Sequence, residues 1–370
     1  MSEQKNVNID IIRCVALCFV ISIHFIGQIE FHEVIFHGMD TLFASCIKNI
    51  FMQCVPLFLL ITGYLMSEKK LTYSYKFFRR IVELFVIYAF ATLLIFVIRS
   101  ITISTALDIK FVIRNILSYQ QYAWYVNMYI GLYLLMPFLN LLWSSIADKK
   151  TERNLLIVLF IATILPSLLN TYSIGNLDWW VKPSTSNMYD QIIPDYWEGI
   201  WPIMYYFIGA YIKKHQVKMG VLKNVVIWFS CIIIFGIYNY YRSYGGYYVP
   251  GKWCDFYGFE AAITSTLFFI LLLGINTKNI PIMVKKVLSW IARYSFGAYI
   301  ISYIWDQIVY AQFNAIVEGL GNRMLFLVPI TFVVIVLSLL SSFFVTQVSC
   351  FVLKAVEIVF LKRKNRNKSV

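Results

Sequence analysis

The chain is short of charge. Only 14% of its 370 residues are Asp, Glu, Lys or Arg, with 19 acids and four histidines in all, against about a quarter in a usual soluble domain. With 60% hydrophobic residues and a mean hydropathy of +0.69, it could not cover a water-exposed surface with polar groups. Long polar stretches are also missing. Apolar runs of spanning length follow one another with short polar segments between them, which excludes an appended soluble domain and predicts one integral-membrane domain over 1–370. A small-residue cleavage site after a short apolar core is missing too, so the first run is read as an uncleaved helix. The seven cysteines, Cys14, Cys18, Cys46, Cys54, Cys231, Cys254 and Cys350, form no CxxC pair and lie mostly inside apolar runs. This spacing predicts neither a disulfide framework nor a metal site. Glu30, His32, Glu33 and His37 match no known ligand spacing either.

What is present is a membrane pattern. Ten helical spans are predicted, at 9–28, 41–66, 81–99, 123–143, 155–171, 201–212, 225–241, 259–275, 296–314 and 324–345. Basic residues sort by the side of the membrane these spans imply. One side holds Arg99, Lys110, Arg114, Lys182, Arg242, Lys252 and Arg323; Lys48 lies within a span; all others fall on the side of the N-terminus. The positive-inside rule then puts both termini in the cytoplasm, and the formal charge of +13 is a membrane signature with no nucleic-acid partner implied. The stretch "NTKNIPIMVKKVLSWIAR" is expected to lie along the cytoplasmic interface. Outer loops are rich in Trp, Tyr, Asp and Gly, which suits either an aromatic belt at headgroup level or stacking on sugar faces. No repeat at a fixed period emerges.

The first span, "IDIIRCVALCFVISIHFIGQ", carries Asp10, Arg13 and His24. Arg13 and His24 are eleven residues apart, about three turns, so they share one face at depths about 16 Å apart. Asp10, three residues before Arg13, is placed to orient its guanidinium. Two readings stand for each. Arg13 is a snorkelling anchor or an anion ligand, and His24 is a structural hydrogen-bonding imidazole or a proton carrier. In "SYIWDQIVY", Asp306 is either a helix–helix hydrogen-bonding group, with Gln307 or a tyrosine, or an orienter of His24 or a contact to the acceptor.

The opening helix resembles that of the acyltransferase-3 family of integral-membrane acyltransferases, marked by an Arg, ten residues, then a His. "VPLFLLITGYLMSEKK", "WYVNMYIGLYLLMPFL", "YYFIGAYIKK" and "ARYSFGAYIISYI" are similar to further family stretches, in order, from Asp10 to about Tyr303. The resemblance implies an all-α, polytopic fold and transfer of an acyl group, usually acetyl, from cytoplasmic acyl-CoA to an outer hydroxyl. No permanently bound cofactor is implied. Acceptors would be surface or secreted carbohydrates or glycolipids, the setting a bacterial plasma membrane, and the partners glycan-assembly proteins. On this reading His24 is the general base or a transient acyl carrier, and Arg13 holds coenzyme phosphates. Lys76, Arg79 and Arg80 in "YKFFRRIVELF" are the further donor-binding candidates, although Glu83 stands where the family often has a second arginine. Trp124, Tyr125, Asp10 and Asp306 are supporting or acceptor-side candidates. Two histidines often seen in the family are replaced here by Tyr122 and Ser302. The rival reading is a transporter or flippase, whose lumen would also hold Arg, His and Asp.

Overall fold

A computed structural model describes residues 6–102, 109–118, 123–186 and 188–366. Its helices, in chain order, are α1 (Val7–Gln28), α2 (Met39–Phe51), α3 (Cys54–Met66), α4 (Tyr75–Thr102), α5 (Ile109–Ser118), α6 (Trp124–Ser145), α7 (Lys149–Thr163) and α8 (Leu165–Leu169). They continue with α9 (Leu177–Val181), α10 (Trp201–His215), α11 (Val221–Ser243), α12 (Phe259–Leu273), α13 (Ile282–Trp305), α14 (Ala311–Asn314), α15 (Leu320–Leu325) and α16 (Leu327–Arg366). Among the described residues, strand pairing is limited to an isolated bridge between Phe36 and Tyr244. Seven helical segments are long and apolar enough to cross a bilayer: α1, the α2–α3 unit, α4, α6, α11, the segment ending in α12, and α16. The protein is an all-α, multi-pass membrane protein. The other expected spans fall on α7 with α8, on α10, and on α13 with α14; these are shorter or carry more charge.

The second span, expected as one helix, breaks at Met52–Gln53. Pro56 is the cause: it has no N–H for the Met52 carbonyl, and its ring crowds that carbonyl. The ladder resumes with the Leu57 N–H donating to the Gln53 carbonyl at 3.0 Å. The ninth span also differs. The basic stretch expected along the interface is the first half of α13, which runs unbroken from Ile282 to Trp305. A π-helical turn, Asp306–Tyr310, follows before α14.

α1 is the central helix, burying Ile12, Ala16, Leu17, Ile21 and Phe25 completely against α2, α3, α12, α13 and α16. Asn6 caps its start, accepting from the Asn8 N–H at 3.1 Å, and Asn8 Nδ2 donates to the carbonyls of Leu272 at 3.0 Å and Ile275 at 2.9 Å, satisfying the end of α12. α3 and α10 touch backbone to backbone. A Cβ on Gly63 would sit 1.9 Å from the Tyr206 carbonyl oxygen, and one on Gly209 2.2 Å from that of Leu60, so both positions require glycine. Asn140 of α6 locks this pair, donating to the carbonyls of Met66 at 2.8 Å and Lys69 at 2.9 Å while accepting from the Tyr206 hydroxyl. Buried Glu152 ties α7 to α10 through Lys214 and His215.

Candidate active site

α1 and α13 lie against each other along much of their length, and each brings functional groups to two levels. At the upper level His24 Nδ1 lies 2.7 Å from Asp306 Oδ2, with the imidazole 35% exposed and the carboxylate 5% exposed. Asp306 opens the π turn, and four residues on, the Tyr310 hydroxyl donates to the Ile21 carbonyl of α1 at 3.1 Å. The Tyr310 ring meets Phe25 edge to face at 5.3 Å. The widened turn thus grips α1 on both sides of His24; such turns recur at functional sites because they re-aim side chains. With Asp306 ionised, Nδ1 carries the proton it donates and Nε2 keeps the lone pair of a base.

Below this level a cavity of about 350 Å³ opens between α1, α3, α4, α6 and α13. It is lined by Arg13, Val20, Val55, Phe58, Thr62, Leu84, Tyr125, Tyr129, Arg293, Ser295, Phe296 and Tyr299, among others. Its wall reaches Val20, one turn of α1 short of His24. Tyr125 and Tyr129 stack at 6.0 Å, and Tyr299 meets Tyr125 edge to face at 5.8 Å, so one side of the cavity is aromatic. A second, more polar recess of about 500 Å³ is lined by Asp10, Arg13, Lys286, Ser289, Trp290 and Arg293. Arg13 and Arg293 belong to both and so stand where the recess passes into the aromatic cavity. A third space of about 190 Å³ brings Arg80 up to Tyr129 and Leu84.

Some of the chain's cations are neutralised by carboxylates and others are not. Lys214, Lys252 and Arg323 are each paired with carboxylates, whereas among the described residues Arg13, Arg80, Lys286 and Arg293 form no salt bridge. Four cations around connected cavities, against the single carboxylate of Asp10, give the lining a positive balance. Asp10, expected to orient Arg13, is buried beside the same recess but forms no ion pair with it. Arg79 points away into pairs with Glu83 at 3.0 Å and Glu357 at 2.9 Å, and Lys76 is exposed outside these cavities. Trp124 is 37% exposed, stacked on Phe256 at 5.6 Å and edge-on to Tyr125. Tyr122 lies outside the described residues, and Ser302 is buried, bonded to the Tyr299 carbonyl at 2.9 Å. Sequence reasoning missed Arg293 and Lys286, whose charges read as topology signals. Their spacing of seven, two helical turns on the α1-facing helix, is the signal that could have found them.

Cations lining a recess that opens into an aromatic cavity, with a His–Asp pair one turn beyond it inside a helical bundle, form a polar site within the interior of a membrane protein. The match to known proteins is more specific: the acyltransferase-3 family model, described as an acyltransferase domain, covers residues 6–346, and the chain belongs to that family. It is therefore a membrane acyltransferase. No curated protein and no solved structure matches the chain significantly.

Proposed function

We propose that this enzyme is an O-acyltransferase, in its usual reaction an O-acetyltransferase, carrying the acyl group of cytoplasmic acyl-CoA to a hydroxyl of a surface or secreted glycan. Its setting is a bacterial plasma membrane, with both termini inside and ten spans. Glycan-assembly proteins are its natural neighbours. The observation that carries the reading is the set of unpaired cations, Arg13, Lys286, Arg293 and Arg80, around cavities that end one turn below the His24–Asp306 pair.

Guanidinium groups match phosphate oxygens in geometry and charge, so the nucleotide end of the donor is held at the polar recess by Arg13 and Arg293. The pantetheine arm lies along Tyr125, Tyr129 and Tyr299, and its thioester points toward His24. The acceptor hydroxyl oxygen attacks the thioester carbonyl carbon as His24 Nε2 takes the hydroxyl proton. Asp306 stabilises the imidazolium through Nδ1–H. The C–S bond then breaks, and the departing thiolate takes the proton from Nε2, leaving the ester and free coenzyme. Purified full-length protein in lipid nanodiscs, given labelled acetyl-CoA and an extracted surface glycan, is expected to produce labelled glycan ester by mass spectrometry, and His24→Ala none. Unchanged transfer by a folded His24→Ala variant refutes the assignment.

A further inference from the structure

Arg242, in the last turn of α11, is completely buried. Its guanidinium carbon lies 4.5 Å from the ring centre of Trp179, 5.3 Å from Trp253 and 5.8 Å from Tyr189. Its hydrogen bond is from Nη2 to the Tyr189 hydroxyl at 3.2 Å, while Nε and Nη1 are buried with no acceptor among the described residues, and no carboxylate pairs with it. One more donor of the same enclosure, the Trp179 indole N–H, is also buried with no acceptor among the described residues. The other arginine buried to this degree, Arg323, has what Arg242 lacks: Glu30 at 2.7 Å and the carbonyls of Val317 and Asn314 at 2.7 and 3.2 Å. Aromatic rings satisfy the flat faces of a guanidinium, but its in-plane N–H groups still need acceptors. A buried charge with none is strongly disfavoured unless something anionic completes it.

The enclosure is also joined to the acyl-transfer side. Trp253 and Phe256 sit on one loop, and Phe256 stacks on Trp124 at 5.6 Å, beside cavity-lining Tyr125. Its cover is α9 and the turn Pro183–Thr185, held by Ser184 to the Tyr244 carbonyl at 3.0 Å and by Tyr241 to that of Trp180 at 2.9 Å.

We propose that the Arg242 enclosure binds an oxyanion carried on a saccharide, the acidic group of the acceptor, with Trp179, Trp253 and Tyr189 against the sugar faces and the α9 segment moving aside for entry. The acceptor role rests on the function proposed above; the oxyanion site does not. Binding to the full-length protein in nanodiscs is measured by calorimetry with a glucuronic-acid disaccharide, its neutral glucose counterpart, and inorganic phosphate as competitor. The acidic disaccharide is expected to bind about tenfold or more tightly than the neutral one. Arg242→Gln and Trp179→Phe are expected to abolish that preference, and His24→Ala to keep it. Trp179→Phe keeps an aromatic ring while removing the five-membered ring and its N–H, so it decides the matter if Arg242→Gln fails to fold. Competition by phosphate extends the site to phosphorylated saccharides, and its absence restricts it to carboxylates. Equal binding of the two disaccharides, no binding of either, or a preference that survives in both variants overturns the proposal. Retained acyl transfer by His24→Ala would sink the catalytic reading and leave this binding result standing.

Discussion

Asp306→Asn tests the catalytic pair most directly, because it changes one buried atom and little volume. In the native pair the carboxylate faces Nδ1 at 2.7 Å, putting the centres of imidazolium and carboxylate charge about 4 Å apart. Asp306 is 5% exposed and His24 35% exposed, so the interaction is screened on one side, and at an effective dielectric near 20 it is worth about 4 kcal/mol. That stabilisation is realised when His24 becomes charged, so its loss falls on the transition state and lowers kcat about a thousandfold. The amide also has a donor that competes for the Nδ1 lone pair, which favours the tautomer with Nε2 protonated and useless as a base. The assay is steady-state transfer in nanodiscs, with donor concentration varied and thermal unfolding as a control. The expected result is a large fall in kcat, a donor KM within about twofold of wild type, and a His24→Ala/Asp306→Asn double variant no slower than His24→Ala alone. Near-wild-type kcat in folded Asp306→Asn, or losses that add in the double variant, would refute the argument.

Removing one cation from the donor mouth, by Arg293→Gln or Arg13→Gln, is expected to weaken donor binding by about 1.5–3 kcal/mol, roughly tenfold or more. Arg79→Gln, whose partners are Glu83 and Glu357, should change it little; equal effects at all three in a donor titration would remove the anion site. Gly63→Ala should destabilise the fold by at least about 1–3 kcal/mol, because the atom 1.9 Å away is backbone and cannot swing aside. Gly131→Ala, with nothing within 4 Å, serves as the unperturbed control in thermal unfolding. In the loop before α10, hydrogen bonding from Lys252 holds the Asp195 carboxyl below its ordinary value. A depressed folded value means the contribution is complete above the unfolded carboxylate pKa of about 4 and is lost as pH falls through the lower folded one. Protection against hydrogen exchange across 190–200, taken relative to the intrinsic rate at each pH, should therefore fall on acidification below that range in wild type, and show no such acid step in Lys252→Met.

The helical architecture was legible because a bilayer imposes length and apolarity on each span, and those survive in sequence without any knowledge of packing. Arg13 and His24 were legible for the same reason: an ionisable group in such a span stands out. Asp306 stood out too, with His24 among its expected partners, but the choice of His24 over Gln307 or a tyrosine needed the fold, because positions 282 apart in sequence are brought together by tertiary packing alone. Pro56 was visible, yet its effect depends on whether neighbouring helices re-satisfy the Met52 carbonyl. Arg293 was hidden by the positive-inside rule, which explains any basic residue near a cytoplasmic helix end and so hides those that also serve a cavity. Likewise Arg79 and Arg80 are adjacent and chemically alike; only the 100° turn between them sends one to carboxylates and the other toward Tyr129.

The unbroken course of α13 makes the protein a ruler. Arg293 and Asp306 are separated by thirteen residues of that helix and its π turn, a rise of about 20 Å at 1.5 Å per residue, and Arg13 and His24 by about 16 Å on α1. The arginines and the His24–Asp306 pair are thus fixed on two adjacent helices that cannot shorten independently, since the Tyr310 hydroxyl and the Asp306 carboxylate clamp them together at the far end. On the mechanism proposed above, a donor is judged by its span: one held at its phosphates reaches the base only if its arm covers that distance. On that mechanism, a truncated thioester carrying the same acyl group has its anchor or its chemistry, but not both at once.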